Sequence, residues 1–145
     1  MSNPIKVNHQ DTKTPRYIPN ISQDLDSLGR VIVDCMFQVH KEMGPGLLES
    51  VYEDCFSISL RKKNIFFQSQ KAVPLTFLGE VVENPLRLDF LIDDKIIVEL
   101  KSVERILPVH EAQLLSYMKL ANCRLGYLVN FNVPLIKDGI FRRAL

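Results

Sequence analysis

The stretch Leu86–Lys101, LRLDFLIDDKIIVELK, decides how this chain folds. It reads as two strands joined by a tight turn, because β-branched and aromatic residues dominate and Asp93-Asp94 supplies the turn chemistry. Leu86, Leu88, Phe90 and Ile92 are expected on one face of the first strand, and Ile96, Val98 and Leu100 on one face of the second. Matching these sets pairs Ile92 with Ile96, Phe90 with Val98 and Leu88 with Leu100 around an Asp93-Asp94-Lys95 loop. The other face then opposes Leu91 to Ile97, Asp89 to Glu99 and Arg87 to Lys101, with Cβ atoms roughly 4.5–5.5 Å apart. Two opposed carboxylates repel, and a divalent cation between them turns repulsion into attraction. One acid here would be read as a solvated charge on an open sheet face. Asp89 followed by Glu99-x-Lys101, in a hairpin with one apolar face, is read as a site.

Working outward, Ile65–Leu78 looks like a further strand, with Pro74 marking an edge or bulge, and Leu78-Gly79-Glu80 turns into Val81-Val82. Upstream, a helix beginning near Asp24 or Asp26 carries Leu28, Val31, Ile32, Cys35 and Val39 at helical spacing. It ends by Met43, where Gly44-Pro45-Gly46 stops it. A second helix, about Leu47 to Lys63, is expected to bury Leu48, Val51, Cys55 and Ile58. Glu49 lies in its first turn, where the helix dipole alone accounts for a carboxylate. Tyr52 follows on the same face, either orienting Glu49 or a phosphate, or serving as a core tyrosine with a wet tip. His40 reads first as a dipole partner at the end of the first helix.

Downstream of Lys101, Pro108 suits the first position of a helix running to about Leu120. His110, Gln113 and Tyr117 fall on one face of it. The strand Arg124–Asn130 is expected parallel to the Glu99 strand, because a crossover helix joins them, and Ile140–Arg143 adds a short final strand.

Asp89 with Glu99-Leu100-Lys101 resembles the PD-(D/E)xK nuclease signature. The run Gly46-Leu47-Leu48-Glu49-Ser50-Val51-Tyr52 resembles the motif of the GxxExxY proteins, a branch of that superfamily. Gln113-x-x-x-Tyr117 is similar to the Q-x3-Y element of RecB-like exonucleases. The resemblance spans about Leu28 to Arg143. It implies an α/β restriction-endonuclease-like core, a mixed sheet flanked by helices in the order α-α-β-β-β-α-β. It also implies metal-dependent hydrolysis of phosphodiester bonds in DNA or RNA. Glu49, Asp89, Glu99 and the Leu100 carbonyl would ligate Mg²⁺, with Mn²⁺ as substitute, and Lys101, Gln113 and Tyr117 would complete the catalytic set. The GxxExxY proteins also have a histidine near His40, which implies a role beside the site. Two other classes stay open: a nucleic-acid-binding module that does not cut, and a protein-interaction subunit.

Composition sets the remaining bounds. A chain of 145 residues suits one domain, taken as residues 23–145 behind a polar, proline-bearing leader over 1–22. No apolar run approaches the about 20 residues a membrane span needs, and no signal peptide is visible, so the expected location is the cytoplasm and no membrane partner is expected. Cys35, Cys55 and Cys123 sit in apolar periodic segments and read as buried thiols rather than zinc ligands or disulfides. The net charge of +1 shows no basic excess. A nucleic-acid partner, DNA foremost, would therefore need a local basic strip, for which Arg61-Lys62-Lys63 and Arg142-Arg143 are the candidates. The leader is also a candidate arm for a homodimer.

Overall fold

The computed structural model describes residues 21–145. Most of the expected leader, His9 included, lies outside the described residues. Its last two positions belong to the fold: Ile21 is buried in the core, and the Ser22 hydroxyl accepts from the Leu25 N–H at 3.2 Å, capping the first helix. That helix, α1, runs Gln23–Met43 and ends at Gly44, whose φ of 70° a side chain would resist. The second, α2, spans Glu49–Lys62. Strands β1 (Phe67–Val73), β2 (Thr76–Phe77), β3 (Glu80–Val81), β4 (Leu86–Ile92) and β5 (Ile96–Lys101) follow. Then come α3 (Pro108–Leu120), β6 (Leu125–Asn130), a 3-10 turn at Ile136–Gly139 and β7 (Ile140–Ala144).

Five strands form one mixed sheet in the order β1-β4-β5-β6-β7, and β2-β3 form a separate two-stranded hairpin. The β5–β6 pair is parallel and the other neighbours are antiparallel, as the crossover through α3 requires. Helices α1 and α2 cover one face, where Ile32, Met36, Tyr52 and Phe56 meet Phe90, Val98, Leu100 and Val129. On the other face α3 packs Leu114 and Met118 against Ile97 and Leu128.

The buried stripe of α2 differs from the expected one. Tyr52, Phe56 and Leu60 are the buried residues, while Leu48 and Ile58 are exposed and Val51 and Cys55 half-buried. Both stripes have helical period, and the aromatic one wins because it buries more area and finds ring partners. Tyr52 stacks on Phe131 at 4.7 Å, and Phe56 meets Phe90 edge-on at 4.9 Å.

The hairpin keeps its expected register only near the turn. Ile92 pairs with Ile96, Leu91 with Ile97 and Phe90 with Val98, and the pairing stops there. Leu86 and Leu88 pack on the α3 side with Leu114, whereas Phe90 and Ile92 pack on the α1–α2 side. The expected single face of Leu86, Leu88, Phe90 and Ile92 is therefore wrong: β4 changes face at Asp89. The expected Leu88–Leu100 pair goes with it, since those side chains lie in opposite clusters. Strand β1 does the same. Phe67 packs on the α1–α2 side and Val73 on the α3 side, although strict alternation would put them together. Its turning point is Gln70, opposite Asp89 in the register, dropped from the ladder and held at φ 50°. Two facing irregularities let both strands switch sides without losing register, a bulge-like device that re-aims one side chain.

Gly29 sets a packing limit on α1. A Cβ there would collide with the Tyr127 hydroxyl and lie 3.2 Å from Leu125 Cδ2. Gly29→Ala gains about 1 kcal/mol of helix propensity but overpacks a rigid ring, which costs about 1–3 kcal/mol. The expected outcome is a lower urea midpoint with unchanged m-value; a raised midpoint would show that the ring gives way.

Candidate active site

The break in the β4–β5 ladder is where the acids meet. Beyond Phe90–Val98, two carboxylates take over from backbone carbonyls as hydrogen-bond acceptors. The Asp89 N–H donates to Glu99 Oε2 at 2.8 Å, and the Leu100 N–H donates to Asp89 Oδ2 at 2.9 Å. Each acid thus holds the other's strand. The Lys101 carbonyl accepts from the Phe131 N–H at 3.0 Å on the β6 side. Because backbone groups alternate along a strand, the neighbouring Leu100 carbonyl is directed to the β4 side, toward Asp89.

Glu99 is 4% exposed, and its carboxyl pKa is pushed up to about 8 by burial first and then by the Asp89 charge. The Asp89 carboxyl also lies above its usual range through burial, opposed by the Leu100 N–H, Lys101 and Gln70. Glu49, the first residue of α2, is raised by burial and by Asp89, with Lys101 opposing. Tyr117 is raised by burial and then by Glu99. Its hydroxyl accepts from Gln113 Nε2 at 2.8 Å. Glu49, Asp89, Glu99, Lys101 and the Gln113–Tyr117 face of α3 therefore share one electrostatic neighbourhood.

The same region contains four residues that the sequence reading passed over. Glu53 lies one turn after Glu49, accepts from Gln70 Nε2 at 2.8 Å, and is raised by burial and by Asp89. The i, i+4 spacing of Glu49 and Glu53 was the available signal. Gln70 carried none, because its role follows from the face switch. Ser102 Oγ donates to the Leu47 carbonyl at 2.5 Å, tying the end of β5 to the loop before Glu49. Buried Asn130, beside Lys101 in the register, accepts from the Val103 N–H at 3.1 Å and donates to the Val103 carbonyl at 3.0 Å. It fixes the chain leaving the site.

Several sequence candidates turn elsewhere. The Tyr52 hydroxyl donates to the Gly44 carbonyl at 2.5 Å and accepts from the Leu47 N–H at 3.1 Å, so it fastens the glycine loop rather than Glu49. Tyr52→Phe leaves both groups short of a partner and is expected to cost about 1–3 kcal/mol in chemical denaturation; no loss would mean that the loop re-pairs with water. His40 Nε2 bonds the Val133 carbonyl at 2.7 Å, a structural tie. His110 Nδ1 accepts from the Leu107 N–H at 3.0 Å and caps α3, leaving the row it was expected to share. Of the basic strips, Arg142 pairs with Asp26 at 2.7 Å and Arg143 with Glu111, while Arg61-Lys62-Lys63 is exposed at the end of α2, about 20 Å from Glu49.

The donor set suits a hard divalent cation: carboxylate oxygens, a strand carbonyl, and buried like charges that a cation would neutralise. Among the described residues, however, no three His, Cys, Asp or Glu side chains are gathered into a metal cage. One oxygen each of Asp89 and Glu99 accepts from a backbone amide and one of Glu53 from Gln70, which leaves each carboxylate its second oxygen.

Among the described residues no helix is long and apolar enough to cross a membrane. No curated protein and no solved structure matches the chain. A family model of the PD-(D/E)XK nuclease superfamily matches residues 26–143, from α1 to β7, and takes in every residue of the acid neighbourhood. By that match, the chain belongs to the PD-(D/E)XK nuclease superfamily.

Proposed function

We propose that this protein is a metal-dependent nuclease that hydrolyses phosphodiester bonds in nucleic acid, with DNA the first candidate. The observation that carries the reading is the exchange at the ladder break. Buried Glu99 and half-buried Asp89 lie side by side, each accepting from the other strand's backbone, with Glu49 and Lys101 in electrostatic range. Glu49, Asp89, Glu99 and the Leu100 carbonyl would hold Mg²⁺, or Mn²⁺ in its place. The ion would supply a water of lowered pKa and draw charge from the scissile phosphate. Lys101 extends from the same face of β5 as Glu99 and is placed to orient that water or balance charge on the phosphate. Gln113 and Tyr117, already hydrogen-bonded, would contact the substrate from α3. The intact Gly46–Tyr52 motif supports the finer placement in the GxxExxY branch, and three free cysteines suit a cytoplasmic setting.

The test mixes the full chain with labelled single- and double-stranded DNA and RNA, with Mg²⁺, with Mn²⁺ and with EDTA. Cleavage that needs the ion supports the reading, and its absence on every substrate rejects it. One observation favours a second reading, a module that binds without cutting: the acids are not gathered into a cage. Binding that survives EDTA, with no cleavage, would establish it.

A further inference from the structure

The strand pair that carries Gln70 and Asp89 continues past Val73 and Leu86 into the β2–β3 hairpin, which belongs to no other sheet. Its tip is apolar and open: Phe77 is 68% exposed, Leu78 87% and Val81 76%. The turn places Leu78 at φ 51° and Gly79 at φ 82°. Glycine or asparagine would take the first of those positions at lower cost, so a leucine there keeps an exposed apolar side chain against its backbone preference. At about 3.3 Å per residue the run from Gln70, opposite Asp89, to Leu78 spans no more than about 26 Å, which is within one turn of a nucleic-acid duplex.

Resting on the nuclease reading, we propose that this hairpin is a wedge. Phe77 and Leu78 insert where base stacking is interrupted, so the enzyme acts on forked, nicked or otherwise unstacked nucleic acid near the opening. Apolar side chains enter base steps at the cost of unstacking, and that cost is smallest where the stack is already broken. At the tip Glu80, paired with Phe77, repels phosphates and leaves bases as the partners of the apolar side chains, while Lys71 and exposed Arg87 beyond the hairpin's root can take the backbone.

The experiment uses the full chain in Ca²⁺, without Mg²⁺ or Mn²⁺. It binds a forked DNA duplex bearing 2-aminopurine at the fork, the matching blunt duplex, and a single strand. Wild type, Phe77→Ser and Leu78→Gly are compared; the glycine variant suits the turn's φ and so preserves the hairpin. The expected result is a rise in 2-aminopurine fluorescence with wild type and tighter binding to fork than to blunt duplex. Each variant should lose that preference by about tenfold, the scale of one stacking contact. Equal binding of fork and blunt duplex by wild type would overturn the wedge, as would variants that match wild type. A change in oligomeric state with fork binding untouched would overturn it too, since the tip would then be a protein contact. Cleavage assayed in parallel separates the two readings: a protein that cuts but shows no fork preference loses only the wedge, and one that neither binds nor cuts loses the nuclease reading first.

Discussion

Lys101→Ala is expected to lower metal-dependent cleavage by about 10²–10⁴-fold, the usual loss when a positioned proton-transfer or charge-balancing group is removed. The size follows from its placement. Lys101 is the last residue of β5, its backbone is bonded to Phe131, and its flank is fixed by the Asn130 clamp on Val103. The ammonium group acts on Glu49, Asp89 and Glu99 together. Lys101 is only half-buried, so the variant should still fold and the loss should appear in kcat. Asp89→Asn should match it in magnitude. Its amide can still accept from the Leu100 N–H, which separates loss of charge from loss of the ladder contact. Undiminished cleavage in both variants would remove this cluster from the chemistry.

Glu99→Gln is expected to stabilise the metal-free protein at alkaline pH, on the order of 4 kcal/mol relative to wild type, and hardly at all near pH 4. The Glu99 carboxyl rises from 4.5 to about 8 on folding. The folded state therefore holds a proton that the unfolded state releases. The stability tied to that proton is full below about pH 4.5 and is lost as pH climbs through about 8. Glutamine keeps the neutral acceptor for the Asp89 N–H and is never charged, so the difference between the two proteins should open across that window. The titration belongs to the Glu99–Asp89 pair. Mg²⁺ or Mn²⁺ at pH 8 should restore the wild type's thermal midpoint and leave Glu99→Gln nearly unmoved. A wild type that ignores both ions at every pH would sink the metal site while leaving the buried pair intact.

Much of this was written in local pattern. The hairpin turn, the parallel place of β6, the glycine stop after α1 and the proline start of α3 each follow from residue type and spacing within one or two elements. The acids and lysine were also legible, because a charge in an apolar strand calls for a reason. The α2 stripe was not, since two apolar sets share the helix and only the partner surfaces, Phe90 and Phe131, choose between them.

The sequence by itself determined the class of fold, the order of its elements and the list of side chains able to do chemistry, because period and charge are properties of the chain. Only the tertiary structure decided that β1 and β4 change face together at Gln70 and Asp89. No single strand encodes that switch: it requires two distant strands to yield at the same register position. It also sets which acids face each other across the ladder break, which backbone groups His40 and His110 bond, and why Glu53 and Gln70 stand beside the site.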